Sequence, residues 1–260
     1  MSIRDLSVLA GLVFTIWRTF FVTVVFLEAV PAFGSFPASI RVGCGYAFGT
    51  GVEYLAHNKV APDLEAAISA ELRPLVETFN LRVISLIVES GGLEQAKTKA
   101  FDEMYGNERF SISSFVGLAI VYGDGIAKGL IAPVKIMRVN ERVGFGVFAN
   151  ARLKKGEMVG EYTGEVKKGD SSSKSAYIFA FMIYGNFMAN YVLDAEKAGN
   201  EMRFVNHSQT PNLDFKYVFS QGQWHIIFVA NRDVKVGEQL FINYGSSYWK
   251  ARKPPEKLND

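Results

Sequence analysis

From about residue 131 the hydrophobic period of this chain changes, and that change constrains the fold more than any other feature. VKIMRV, EMVGEY, AYIFAFMI, NYVLD, LDFKYVF, QWHIIFVA and QLFINY are short β-branched and aromatic runs. Gly, Asn, Asp and Ser separate them at intervals too brief to hold helices. The pattern predicts a mostly β domain of small antiparallel sheets over 131–251. Upstream the period is helical: Leu64, Ala67, Ile68, Leu72, Leu75 and Val76 recur at three- and four-residue spacing, with Pro74 expected to kink or end that helix. After Gly91-Gly92 the positions Leu93, Ala96, Ala100, Phe101 and Met104 repeat the same face, and Gly106-Asn107 supplies a stop. The expected organisation is an α-helical N-terminal region over 1–130, the β domain over 131–251, and a basic, Pro-containing tail over 252–260.

The first thirty residues admit two readings. Residues 6–27 are almost wholly apolar, but Arg18 leaves uncharged runs on either side shorter than the roughly twenty residues of a spanning helix. A central Arg costs about 2.5–3.5 kcal/mol on insertion, which the surrounding Leu, Val and Phe offset, so a membrane segment or a signal stays open. The other reading, an apolar helix packed on the rest of the protein, fits the interrupted run better. GCGYAFGTG at 43–51 resembles a dinucleotide loop only in its glycines, since no clear strand precedes it, and it reads as a packing or turn feature. With 28 basic and 26 acidic residues the net charge is +2, which selects neither nucleic acid nor an acidic surface as a partner. One cysteine, Cys44, excludes an internal disulfide framework and a cysteine-rich zinc cluster, and His57, His207 and His225 lack metal-ligand spacing.

The polar motifs lie in this strand-like background, where each polar side chain needs a partner or a ligand. RFVNHSQTPN at 203–212 reads as a strand breaking into an Asx- and Ser-stabilised turn, with Asn206 and His207 supplying donors and acceptors. GEQLFINYG at 237–245, VGFGVFA at 143–149 and GEYTGE at 160–165 add a Tyr, a Gly-aromatic-Gly turn between two β-like runs, and a Tyr between two glutamates. Taken one at a time, these are a hairpin turn, a core tyrosine and a structural histidine. Together and in this order they resemble the SET domain, the β-fold of protein-lysine methyltransferases. The match continues through GSSYWKARK at 245–253, where the chain is similar to small SET proteins of intracellular bacteria of the chlamydial type.

That resemblance implies a C-terminal pseudoknot, S-adenosylmethionine as methyl donor, and transfer of methyl to an exposed lysine of a protein, a histone or another basic protein. It implies that Tyr244 stands beside the transferring methyl and Tyr162 bonds the substrate amine. Val143, Phe145 and Gly146 would line the donor, Tyr177 would reach it, and Arg203, Asn206 and His207 would hold its adenine and amino-acid ends. Tyr248 would close over donor and lysine channel. The chain departs from many nuclear SET enzymes in two places. Gln209 stands where they carry a zinc-binding Cys, so no metal is expected, and Ile242 stands where Phe or Tyr is usual in the channel and is associated with the number of methyls added. The resemblance carries with it a bacterial cytoplasm or a host cell after secretion as the compartment, with membrane association only through 6–27. It implies no direct nucleic-acid ligand. A non-catalytic SET module that binds a peptide or partner is the alternative.

Overall fold

The expected change from helix to strand falls between Ala127 and Val134. The computed structural model describes residues 52–106, 112–169, 175–180 and 191–250, all within one unit spanning 42–260. The apolar run 6–27, the Gly-rich stretch with Cys44 and the tail 252–260 lie outside the described residues. No helix among the described residues is long and apolar enough to cross a membrane.

Three helices come first. Helix α1, Pro62–Glu89, starts on a proline, whose fixed φ and missing N–H suit a first turn. It runs through Pro74, where the sequence predicts a break. An interior proline forfeits a backbone bond at a cost of about 3 kcal/mol. Burial of Leu64, Ile68 and Phe79 on the apolar side of the helix offsets that loss. The helix stops at two glycines with φ of +82° and +135°, whose N–H groups return to Val88 O and Ile87 O at 3.1 and 2.9 Å. Helix α2, Leu93–Gly106, and helix α3, Ile112–Ala127, follow. Gly117 lets α3 approach α2 closely: a Cβ there would lie 3.2 Å from Ala100 Cβ.

Helix α3 packs on a three-stranded sheet of order β11-β12-β5: Leu213–Ser220, Gln223–Ala230 and Met158–Glu161, antiparallel throughout. The β11–β12 hairpin turns through Gln221 and Gly222, both at positive φ, as a two-residue turn requires. Alternation puts Val218, Ile227 and Val229 against Leu118, Tyr122 and Ile126 of α3. The other face, with Phe219, Trp224, Ile226 and Phe228, belongs to the larger core. Both faces are covered, which is why HIIFVA is apolar without alternation.

A second sheet joins β6 (Glu165–Lys168), β8 (Tyr191–Asp194) and β7 (Ile178–Ala180), all antiparallel. A hairpin of β3 (Val134–Asn140) and β4 (Gly144–Ala149) stands apart from it. Within the stretch expected to be helical, two short strands form: β1 (Glu53–Tyr54), parallel to β9 (Ala198–Gly199), and β2 (Lys59–Val60), parallel to β6. Leu55 N–H donates to Gly199 O at 3.0 Å, Lys59 N–H to Gly164 O at 2.9 Å, and Thr163 Oγ1 to Leu55 O at 2.9 Å. Residues 52–60 thus form a strap across the β domain.

Near the C-terminal end, β13 (Phe241–Ile242) runs parallel to β10 (Asn206–His207). The buried side chain of Asn212 fixes the join, donating to Gln239 O at 2.9 Å and accepting from Phe241 N–H at 2.8 Å. This docking of a late segment on the 206–212 turn is the pairing that the expected pseudoknot requires. A short helix, α4 (Ser246–Lys250), follows it.

Candidate active site

A cavity of about 770 Å³ opens where these elements meet, and nearly every residue singled out in the sequence lines it: Val143, Phe145, Tyr162, Tyr177, Arg203, Asn206, His207, Ile242, Tyr244 and Tyr248. Stretches separated by more than a hundred residues therefore share one space. Gly146 does not line it. A Cβ there would fall 2.4 Å from Gln239 Nε2 and 3.1 Å from Asn206 Nδ2, so its missing side chain makes room for neighbours. The expected Gly-aromatic-Gly turn is also displaced. Asn140 Oδ1 closes the turn one step earlier by accepting from Arg142 N–H at 3.0 Å and Val143 N–H at 2.7 Å, and residues 144–149 are strand.

The two tyrosines are alike in their hydrogen bonding. Tyr244 Oη donates to Val205 O at 2.9 Å, and Tyr162 Oη donates to Tyr177 O at 2.8 Å. A carbonyl only accepts, so both hydroxyl protons are committed to the main chain and each oxygen keeps its lone pairs for another donor. Burial pushes both phenols well above their ordinary range, and the nearness of the two rings adds to the effect at Tyr162. Both stay neutral hydroxyls at any physiological pH.

The Asn206-His207 pair holds the cavity together. Asn206 Nδ2 donates to Phe145 O at 3.0 Å, tying β10 to β4. His207 Nδ1 accepts from Tyr244 N–H at 3.1 Å, which places the ring proton on Nε2. Burial lowers the His207 pKa, so the ring is neutral near pH 7 and retains that acceptor. Gln209, where a zinc-binding Cys is usual in the resembled family, places its side-chain amide 3.1 Å from His207 Nε2. Among the described residues no group of His, Cys, Asp and Glu could hold a metal ion.

Arg203 is buried in the 3-10 turn Glu201–Phe204, which Asn200 caps by accepting from Met202 N–H at 3.1 Å. Its guanidinium lies 4.3 Å from the Tyr177 ring centre and donates to Glu196 O at 3.1 Å. Tyr248 Oη reaches Ala176 O at 3.3 Å, bringing α4 over the β7 side of the cavity. Its ring stands 4.6 Å from that of Tyr244.

Several lining groups escaped the sequence reading. Phe179, Phe215, Tyr217 and Phe228 make an aromatic wall beside Tyr162, and burial pushes the Tyr217 hydroxyl up to about 12 while it donates to Ala180 O at 2.9 Å. The alternation of β11 and β12 could have placed Phe215, Tyr217 and Phe228 on one face. Val52, from the strap, carries no such signal. Arg142 adds a second cation at the rim, and no Asp or Glu occurs among the described lining residues. The arrangement suits a ligand with an anionic group at the arginines and a cationic or apolar part among the rings.

Residues 144–245 match the SET domain family, and this region is mostly small sheets preceded by helices. The chain is 33% identical over 134 residues to a histone-lysine N-methyltransferase EZH2 of Chaetomium thermophilum, covering 46% of this chain and 8% of that protein. It is 33% identical over 127 residues to histone-lysine N-methyltransferase EZA1 of Arabidopsis thaliana, covering 45% of this chain and 14% of that one. Among solved structures, ctPRC2 in an autoinhibited conformation bound to S-adenosylmethionine aligns with a TM-score of 0.41 at 28% identity, over 58% of this chain and 18% of that chain. The chain therefore spans a small fraction of the length of these relatives.

Proposed function

We propose that the SET domain of this chain is an S-adenosylmethionine-dependent protein-lysine N-methyltransferase. One observation carries the reading: two buried tyrosine oxygens, each with its proton committed to a carbonyl, face a single cavity that also holds the Asn206-His207 pair. The names of the matched relatives support the same reaction class. When bound, the donor supplies an electrophilic methyl carbon on a cationic sulfur. The cavity's volume, its two guanidiniums and its aromatic faces fit a ligand with one carboxylate and one sulfonium. Val143, Phe145, Asn206 and His207 would hold it on the β4–β10 side, with Arg203, Tyr177 and Tyr248 around its charged end.

In-line displacement requires the amine nitrogen to be aimed at the methyl carbon, and positioning is most of the work. The oxygens of Tyr162 and Tyr244 can only accept, so they take the N–H groups of a neutral lysine amine and turn its lone pair toward the donor. Neither phenol is a base near pH 7, because burial holds both protonated. Free lysine has a pKa of about 10.4, so the ammonium must shed its proton to solvent. A second positive charge close to a sulfonium is disfavoured, which would promote that loss.

Ile242 is buried and lines the cavity. It carries no hydroxyl to retain a blocking water and is smaller than Phe, so more than one methyl is added to the same lysine. The substrate is an exposed lysine of a basic protein, a histone or, following the likeness to small bacterial SET proteins, another protein met in the bacterium or in its host. The test is incubation with labelled donor and a panel of histones and basic bacterial proteins, comparing wild type with Tyr244→Phe. Donor binding without transfer to any of them sinks the reading in favour of a non-catalytic module.

A further inference from the structure

Glu161 immediately precedes Tyr162, and its carboxylate is buried outside the cavity lining. Oε1 lies 2.7 Å from His225 Nδ1 and accepts from Asn58 Nδ2 at 3.1 Å. Oε2 has no hydrogen-bond partner and faces His57 Nδ1 at 3.9 Å. His225 Nε2 stands 3.1 Å from Ser220 O, which only accepts, so Nε2 carries a hydrogen and a single further proton lies between Nδ1 and Oε1. Both His225 nitrogens are thereby used, and the trio is no metal site. The Glu161 carbonyl accepts from Asn200 Nδ2 at 2.7 Å, the residue that caps the turn carrying Arg203. One residue therefore joins β12, the strap and the Arg203 turn, beside Tyr162 N–H, which itself donates to Ile226 O at 2.7 Å.

A buried ion pair is weak support for stability, since well-packed apolar groups commonly do as well. Its geometry here gives it another use. We propose that Glu161 is a positioning residue for Tyr162, and that the 52–60 strap it holds in place is part of the same positioning device. This rests on Tyr162 belonging to the transfer site. The strap brings Val52 to the cavity wall, and its two ladders end on Gly164 and Gly199, close in sequence to Tyr162 and to the 3-10 turn that carries Arg203.

The charged and titratable groups around the trio are few. His57 comes from the strap and His225 from β12, and Lys128, next to the Gly129 on which the His57 ring rests, pairs with Asp124 at 2.9 Å. The Glu161 carboxylate raises His57 above its ordinary value. Burial pushes Glu161 up, but the His225 and His57 contacts outweigh it and hold the carboxyl below its usual range. The His57 contribution is therefore complete below about pH 6.5 and lost as pH rises through the raised value. The Glu161 contribution is complete above about pH 4.5 and lost as pH falls through the lowered value. The strap is held tightest in the mildly acidic window between them.

The test uses the full chain as wild type, Glu161→Gln and His57→Gln. Amide hydrogen exchange is followed at Leu55, Lys59 and Tyr162, with turnover measured from pH 5.5 to 9. Glu161→Gln keeps the shape and removes the charge; it is expected to speed exchange at all three amides about tenfold. It should also lower kcat about tenfold, with the donor KM changed less than about twofold. His57→Gln should abolish the rise in strap protection, taken relative to intrinsic exchange rates, between pH 8 and pH 6. Wild-type exchange at these amides in Glu161→Gln overturns the proposal, as does a kcat that falls only in proportion to the folded fraction. A wild-type chain that methylates nothing defeats the transfer reading instead, and the exchange at Tyr162 then decides the positioning claim by itself.

Discussion

The two faces of the β11–β12–β5 sheet do different work with the same alternation. On the α3 side, Val218, Ile227 and Val229 meet Leu118 and Ile126, all buried. On the cavity side, Phe215, Tyr217 and Phe228 leave a space, and the hydroxyls nearby are tied to main-chain carbonyls. Side chains of similar size thus close one face and leave the other open. The difference is one of partners: helix α3 runs along the back, whereas at the front α1 covers the Phe219 end and Phe215, Tyr217 and Phe228 face the cavity. Stability should reside in the first face and chemistry in the second.

Substitutions on each face can break that division. Ile227→Ala leaves a cavity under α3, and about 3 kcal/mol of unfolding free energy should be lost in denaturant titration, with turnover per folded molecule unchanged. A large loss of turnover in the folded fraction would erase the division. Tyr244→Phe should do the reverse, lowering kcat about a hundredfold with the melting temperature shifted only by the loss of one hydrogen bond. Asn212→Ala tests the join between faces and segments. Losing both bonds to the 239–241 stretch should cost about 2 kcal/mol in denaturant titration, and donor affinity should fall with it because β13 carries Ile242 and leads into Tyr244. In the His57→Gln background, where the strap no longer titrates, turnover should climb about tenfold per pH unit from 7 to 9 with the lysine ammonium, since burial keeps both phenols protonated. A bend in that range would assign a titrating base to the site. The smallest effect concerns product rather than rate: Ile242→Phe should shift the mass spectrum toward monomethyl-lysine.

The same division marks what the sequence made legible. Short apolar runs bounded by turn residues located the long strands, and the polar motifs at 160–165, 203–212 and 237–245 converge on one cavity because each breaks an apolar run with groups that need partners. Strand β1 and strand β2 were out of reach. Two residues have no period, and their partners lie more than a hundred positions away. Helix α3 was muted by Gly117, Gly123 and Gly125, which weaken a helical signal in sequence yet bring backbone close to Ala100, Ser220 and Met158 in space. Pro74 misled for the opposite reason: a local penalty was outweighed by burial elsewhere on the same helix. No sequence signal pairs Glu161 with His225, which the fold sets 2.7 Å apart.

The parallel pairing of Asn206–His207 with Phe241–Ile242 sets an order of events for the living cell. Tyr244 cannot take its place until the stretch it docks on has already formed, so a nascent polypeptide emerging from the ribosome holds helices, strap and sheets while still chemically silent. Any fragment released by stalled translation or by cleavage upstream of residue 241 would lack Ile242, Tyr244 and Tyr248, and with them one side of the cavity.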